Sequence, residues 1–143
     1  MKLATLLVDE GADVKAAGTD RAGNASTPHW WAARAVCDGM AGGMKLATLL
    51  LEHGSDVDAV GTEGTGNECT PLYWAAKAVC IGEDLGMELA THLVEKGADV
   101  NALGKWGGTE SCAPLWWAAQ AVWNGNAGRG LHSSTSPLNL SRV

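Results

Sequence analysis

Thr70-Pro71-Leu72-Tyr73-Trp74-Ala75-Ala76 decides how the chain is read. Pro71 suits the first turn of a helix, where no N–H is required, and Thr70 is placed to cap the free amides ahead of it. Leu72, Ala75, Ala76 and Val79 then follow at helical spacing and give the helix one apolar stripe. The stretch has a copy 43 residues earlier, Thr27-Pro28-His29-Trp30-Trp31-Ala32-Ala33, and another 43 residues later, Ala113-Pro114-Leu115-Trp116-Trp117-Ala118-Ala119. A second element keeps the same step. Leu-Ala-Thr begins at Leu3, Leu46 and Leu89, and each run closes on a glycine, Gly11, Gly54 or Gly97, followed by Ala or Ser and then Asp-Val. The chain is therefore an internal repeat of paired helices, with units 1–43, 44–86 and 87–129 aligning without a gap.

Within each unit one helix is built on Leu3, Leu6, Leu7 and their equivalents and ends where glycine offers the left-handed C′ residue. A polar, Gly-bearing segment follows (17–26, 60–69 and 103–112), whose composition predicts a hairpin-like excursion. The Pro-opened helix comes next, 28–37 in the first unit, and Gly39, Gly82 and Gly125 stop it. Positions that do not vary among the copies are apolar, small, Gly or Pro, apart from Thr5/Thr48/Thr91 and Asp13/Asp56/Asp99. That is the profile of a packing code. After residue 125 the period fails and the Ser-rich segment 126–143 is expected to be a disordered tail. The expected organisation is a repeat array over 1–125 that starts and ends mid-repeat, as part of a longer array would.

Nearly half of the 143 residues are apolar and under a fifth are charged, which excludes wholesale disorder. A formal charge of −6 and the lack of a Lys/Arg run argue against nucleic acid as partner. The opening Met1-Lys2-Leu3-Ala4-Thr5-Leu6-Leu7-Val8 superficially has the look of a leader, but Asp9 and Glu10 interrupt it and its twin at 44–51 marks it as a repeat helix. No run approaches the ~18 apolar residues of a membrane span, so a cytoplasmic or nuclear location without a membrane is expected. Cys37 and Cys80 share one repeat position, and Cys69 and Cys112 another. Equivalent positions of stacked helices lie ~8–10 Å apart, beyond the ~4.4–6.8 Å Cα separation of a disulfide, so reduced, buried thiols are expected.

Paired helices at this period also describe HEAT and armadillo repeats. The motifs separate the two readings. Thr70 to Ala76, together with Leu93-Val94-Glu95-Lys96-Gly97-Ala98-Asp99-Val100-Asn101-Ala102, resembles the ankyrin repeat. The resemblance covers about residues 1–125 and implies an all-α solenoid of stacked helix-turn-helix repeats with extended hairpin-like loops. The ordinary ankyrin period is about 33 residues; the additional residues fall in the turn segment and the helix–helix link, where they cost little loop entropy. Trp30, Tyr73 and Trp116 stand where ankyrin helices usually carry His. Ala113 replaces the capping Thr, at a cost of about 1 kcal/mol.

The resemblance implies a non-catalytic protein-interaction module, with no cofactor and no metal, that grips a protein partner on a concave face of first helices and turn tips. The partner-binding residues mapped in this way are Trp31, Trp74 and Trp117, then Arg34, Lys77 and Gln120, with Asp20, Arg21, Glu63, Lys105 and Trp106 at the tips. Trp and Arg are the side chains most enriched at interface hot spots. Trp31, Trp74 and Trp117 read equally as such a surface ladder or as packing between units; Trp30, Tyr73 and Trp116 read as packing. Trp106, alone in a Gly-rich tip, is expected to be exposed, so that Trp106→Ala leaves the melting temperature unchanged. His29, His53, His92 and His132 occupy different repeat positions and form no ligand or catalytic spacing. Gly61-Thr62-Glu63-Gly64-Thr65-Gly66 lacks the strand and Lys of a phosphate loop. The other roles weighed are a targeting or adaptor segment of a larger signalling enzyme or ubiquitin-ligase component, and a fragment without stable function. Monomer, or part of a longer array, is the expected state.

Overall fold

A computed structural model describes residues 1–64, 66–107 and 110–125; the segment 126–143, expected to be a disordered tail, lies outside the described residues. Helix α1 (Lys2–Asp9) is followed by strands β1 (Gly18–Thr19) and β2 (Ala25–Ser26) and helices α2 (Pro28–Cys37) and α3 (Gly43–Glu52). The pattern then recurs as β3 (Gly61–Glu63), β4 (Asn67–Cys69), α4 (Pro71–Cys80) and α5 (Leu85–Glu95), and again as β5 (Gly104–Trp106), β6 (Glu110–Cys112) and α6 (Pro114–Trp123). The Pro-opened helices start at Pro28, Pro71 and Pro114, where the sequence places them. Gly11, Gly54 and Gly97, with φ of 91°, 83° and 91°, turn the chain out of the second helices.

Two layers result. The first helices α2, α4 and α6 pack side by side, the second helices α3 and α5 pack beneath them, and each pair (α2 with α3, α4 with α5) forms an antiparallel hairpin. This is a helical repeat fold, but it is not all-α. The turn segments pair as antiparallel hairpins, β1 with β2 in one sheet and β3-β4-β5-β6 in another. The strand content arises because consecutive hairpins lie side by side, so that Glu68 of β4 pairs with Lys105 of β5 across a repeat boundary. The first hairpin joins this row through a side chain instead: the Thr62 hydroxyl accepts from the Ala25 N–H at 2.8 Å.

The two polar residues common to all units have local structural roles. Thr5, Thr48 and Thr91 donate their hydroxyls to the carbonyls of Met1, Met44 and Met87 one turn back, at 3.1, 2.9 and 2.8 Å. Asp13, Asp56 and Asp99 each accept from the backbone N–H two residues on, at 2.9 Å, and so shape the turn leaving the second helix. Capping differs from expectation at Thr70. Thr27 accepts a long 3.3 Å bond from the Trp30 N–H, whereas Thr70, in the same backbone conformation, makes no cap. Ala113 makes none either, as its side chain dictates.

The core runs along the junction of the two layers, through Trp30, Val36, Leu50, Leu72, Tyr73, Trp74, Leu89 and Leu93. Among the described residues only unit 44–86 is packed on both sides. Helix α1 buries no residue and touches little but α3, and α6 buries only Pro114 and Ala121.

Candidate partner-binding surface

The aromatic residues of the first helices form one continuous chain across the repeats. Trp31 meets Trp30, Trp30 meets Trp74, Trp74 meets Tyr73, Tyr73 meets Trp117 and Trp117 meets Trp116. Each contact is edge-to-face, with centroids 5.0–5.7 Å apart, the geometry that the ring quadrupole favours. Position 30 of one unit therefore packs on position 31 of the next. The close approach requires glycine. A Cβ on Gly61 would lie 2.5 Å from atoms of the Trp30 indole, and one on Gly104 would collide with the ring of Tyr73. The Trp30 Nε1 also donates to the Cys69 carbonyl of the following hairpin at 2.9 Å.

Of the two readings left open for the row Trp31, Trp74 and Trp117, packing between units is the one seen at Trp74. Trp74 is only 2 % exposed, held between Trp30 and Tyr73, and it cannot meet a partner; its energy goes into joining repeats. Trp117 is half-buried. Trp31 is 53 % exposed because no described repeat stands before it. The companion expectation of packing holds for Trp30 and Tyr73, but Trp116 is 50 % exposed because no described repeat stands after it.

Arg34, Lys77 and Gln120 occupy one row on α2, α4 and α6, and all three are half-buried. The Arg34 guanidinium lies over the Trp74 ring at 4.8 Å and pairs with Glu63 of the next hairpin and with Asp38 at 3.4 Å. Lys77 Nζ stands 5.4 Å from the Trp74 ring and 5.8 Å from that of Trp117. Stacking on aromatic faces restrains both cations, so they are held in place before anything binds. The Gln120 Oε1 is buried without a hydrogen-bond partner among the described residues.

At the hairpin tips Asp20 accepts from the N–H of Ala22 and Asn24 and from the Asn24 side-chain amide, at 2.8, 3.0 and 2.9 Å. Those bonds, the side-chain bond above all, hold its carboxyl below the usual range and make it an organiser of the turn. Arg21 is exposed. Lys105 is exposed and pairs loosely with Glu68 at 3.7 Å. The backbone of Trp106 belongs to β5, and its side chain lies outside what is described, so the expected exposure is not placed here.

Burial shifts the ionisable groups of the core. His29, at the position of Leu72 and Leu115, is wholly enclosed; burial pulls its pKa down to about 4, with the Asp56 carboxylate opposing weakly. Burial likewise pushes the thiols of Cys37 and Cys69 up to about 11 and about 12, and neither is in a disulfide. Among the described residues no His/Cys/Asp/Glu group could hold a metal ion, and no helix is long and apolar enough to cross a membrane.

No curated protein matches the chain. The family model of the ankyrin repeat matches residues 67–105, which run from β4 through the α4–α5 pair to the start of the next hairpin. Ankyrin repeats generally mediate protein–protein interactions. The family that this chain resembles, over the α4–α5 hairpin, is the ankyrin repeat.

Proposed function

We propose that the chain is a non-catalytic protein-binding module, an ankyrin-type solenoid over residues 1–125 whose concave face receives a protein partner. The row of Arg34 and Lys77, restrained over the Trp74 and Trp117 rings, carries this reading. Fixed at successive repeats, Arg34 with its bound carboxylates Glu63 and Asp38, and Lys77, offer a partner segment a defined polar register. Gln120 adds an amide oxygen in the same row, Trp117 an aromatic edge, and the tips Arg21, Glu63 and Lys105 a charged rim. Trp74 contributes from below, as the platform that holds the cations.

The test is capture of a partner by the chain, followed by amine cross-linking. Cross-links should reach Lys77 and Lys105 on the first-helix and hairpin side and spare Lys45 and Lys96 of the second-helix side. The pair K77E and K105E should abolish capture while the helical circular dichroism stays unchanged. Cross-links confined to Lys45 and Lys96, or full capture by the double variant, would overturn the assignment.

A further inference from the structure

Among the described residues the two ends of the array are complementary to each other, and nothing described covers either. At the N-terminal end Trp31 is 53 % exposed although its equivalent Trp74 is buried, and Leu3 and Leu7 of α1 are 67 % and 49 % exposed although their equivalents Leu89 and Leu93 are wholly buried. Gly18 shares the repeat position of Gly61 and Gly104, yet a Cβ there would meet nothing within 4 Å. An open hollow of about 230 Å³ lies over it, lined also by Asp20, Asn24, Ser26 and Trp31. These are the places where, at the inner junctions, a preceding repeat sets down its aromatic ring and its first helix.

At the C-terminal end the missing counterparts stand ready. Trp116, the equivalent of Trp30 and Tyr73, has no glycine to lie on among the described residues and is half exposed. Leu115, Ala118 and Val122 of α6 are exposed where Leu72 and Ala75 of α4 are buried under α5. A groove of about 390 Å³ runs beside them, lined by Leu72, Ala76, Val94, Val100, Leu115 and Ala118, from α4, α5 and α6 and the turn after α5. Helix α5 touches α4, its hairpin partner, then α2 and α3 of the hairpin before. A second helix seated in the groove would touch α6, α4 and α5 in the same three ways.

We propose that copies of this chain associate head to tail, the α1 end of one filling the α6 groove of another. In that contact Leu3 and Leu7 of the second copy repeat the burial of Leu89 and Leu93, and Trp116 lies on the second copy's Gly18 against its Trp31. The new junction continues the packing already made at Gly61 and Gly104, with the same residues in the same order. Because the two surfaces differ, the contact is heterologous and each copy can engage a neighbour at both ends, so copies join in succession beyond a dimer. It uses the ends of the array and is independent of the Arg34–Lys77 row.

Sedimentation velocity of the full chain tests it. The average mass should rise with concentration from 14.8 kDa through the dimer and beyond. Gly18→Val should stop growth without unfolding the monomer, since the added side chain meets nothing within 4 Å and β-branched residues suit a strand. Trp116→Ala should stop it from the other end. An equimolar mixture of the two variants should form a 1:1 dimer and no larger species, because each supplies the end the other lacks. A wild-type chain that stays at 14.8 kDa at every concentration overturns the proposal, whether residues 126–143 or an unrelated protein then covers the groove. So does a mixture of the variants that stays monomeric or grows past the dimer.

Discussion

His29→Leu should make the fold both more stable and nearly indifferent to mild acid. The imidazole is fully enclosed, and neither ring nitrogen has a hydrogen-bond partner among the described residues. Its pKa falls from 6.5 to about 4 on folding, chiefly through burial. The folded state therefore resists a proton that the unfolded chain accepts below pH 6.5. Stability is whole above that value and is lost as the pH drops towards 4. At about 1.36 kcal/mol per unit the loss totals roughly 3 kcal/mol, a large part of what a small domain has to spare. At neutral pH the variant also relieves a buried, unsatisfied polar ring, worth about 1–3 kcal/mol, and leucine already occupies the position at Leu72 and Leu115. Urea unfolding followed by circular dichroism at pH 7.5 and at pH 4.5 reads both effects. Wild type should lose most of the roughly 3 kcal/mol between the two conditions, and the variant very little of it. Parallel losses in the two proteins, or a variant less stable at pH 7.5, would refute the account of His29 as an enclosed, unpaired imidazole.

Gly104→Val should destabilise by at least about 1–3 kcal/mol in a thermal or urea melt, since the Tyr73 ring occupies the space, whereas Gly18→Val should leave the monomer melt unchanged. Thr27→Ala should cost about 1 kcal/mol through loss of the cap, and Thr70→Ala close to nothing, because Thr70 makes no cap. In the folded chain Cys37 and Cys69, with thiols pushed up to about 11 and about 12, should resist iodoacetamide at pH 8 until denaturant is added; rapid labelling of either would contradict their burial.

The period, the helix starts and the helix stops were legible because proline, glycine and apolar spacing act locally. Within a helix Pro71 is tolerated only in the first turn, and Gly54 and Gly97 supply backbone conformations that other residues rarely adopt. The sheet was not legible, because β4 and β5 belong to different repeats and their pairing depends on how the repeats stack. The split between Trp30 and Trp31 was hidden for a related reason. Adjacent aromatics on one helix carry no sign of which faces the next unit, and the clue lay elsewhere, in the glycines at Gly61 and Gly104 under the rings. End effects were also invisible, since Trp31, Trp74 and Trp117 share a repeat position and differ only in what stands beside them.

The glycine under each aromatic ring has a consequence for how such a gene can change length. Every junction matches a ring with a residue that has no side chain, so removing or duplicating any whole block of 43 residues leaves each remaining junction chemically the same as before. Deleting one or two residues just ahead of Gly61 or Gly104 would instead bring Thr62 or Glu63, or Lys105 or Trp106, beneath a ring and break the stack there. Growth and shrinkage of the array are in this way quantised by its own packing.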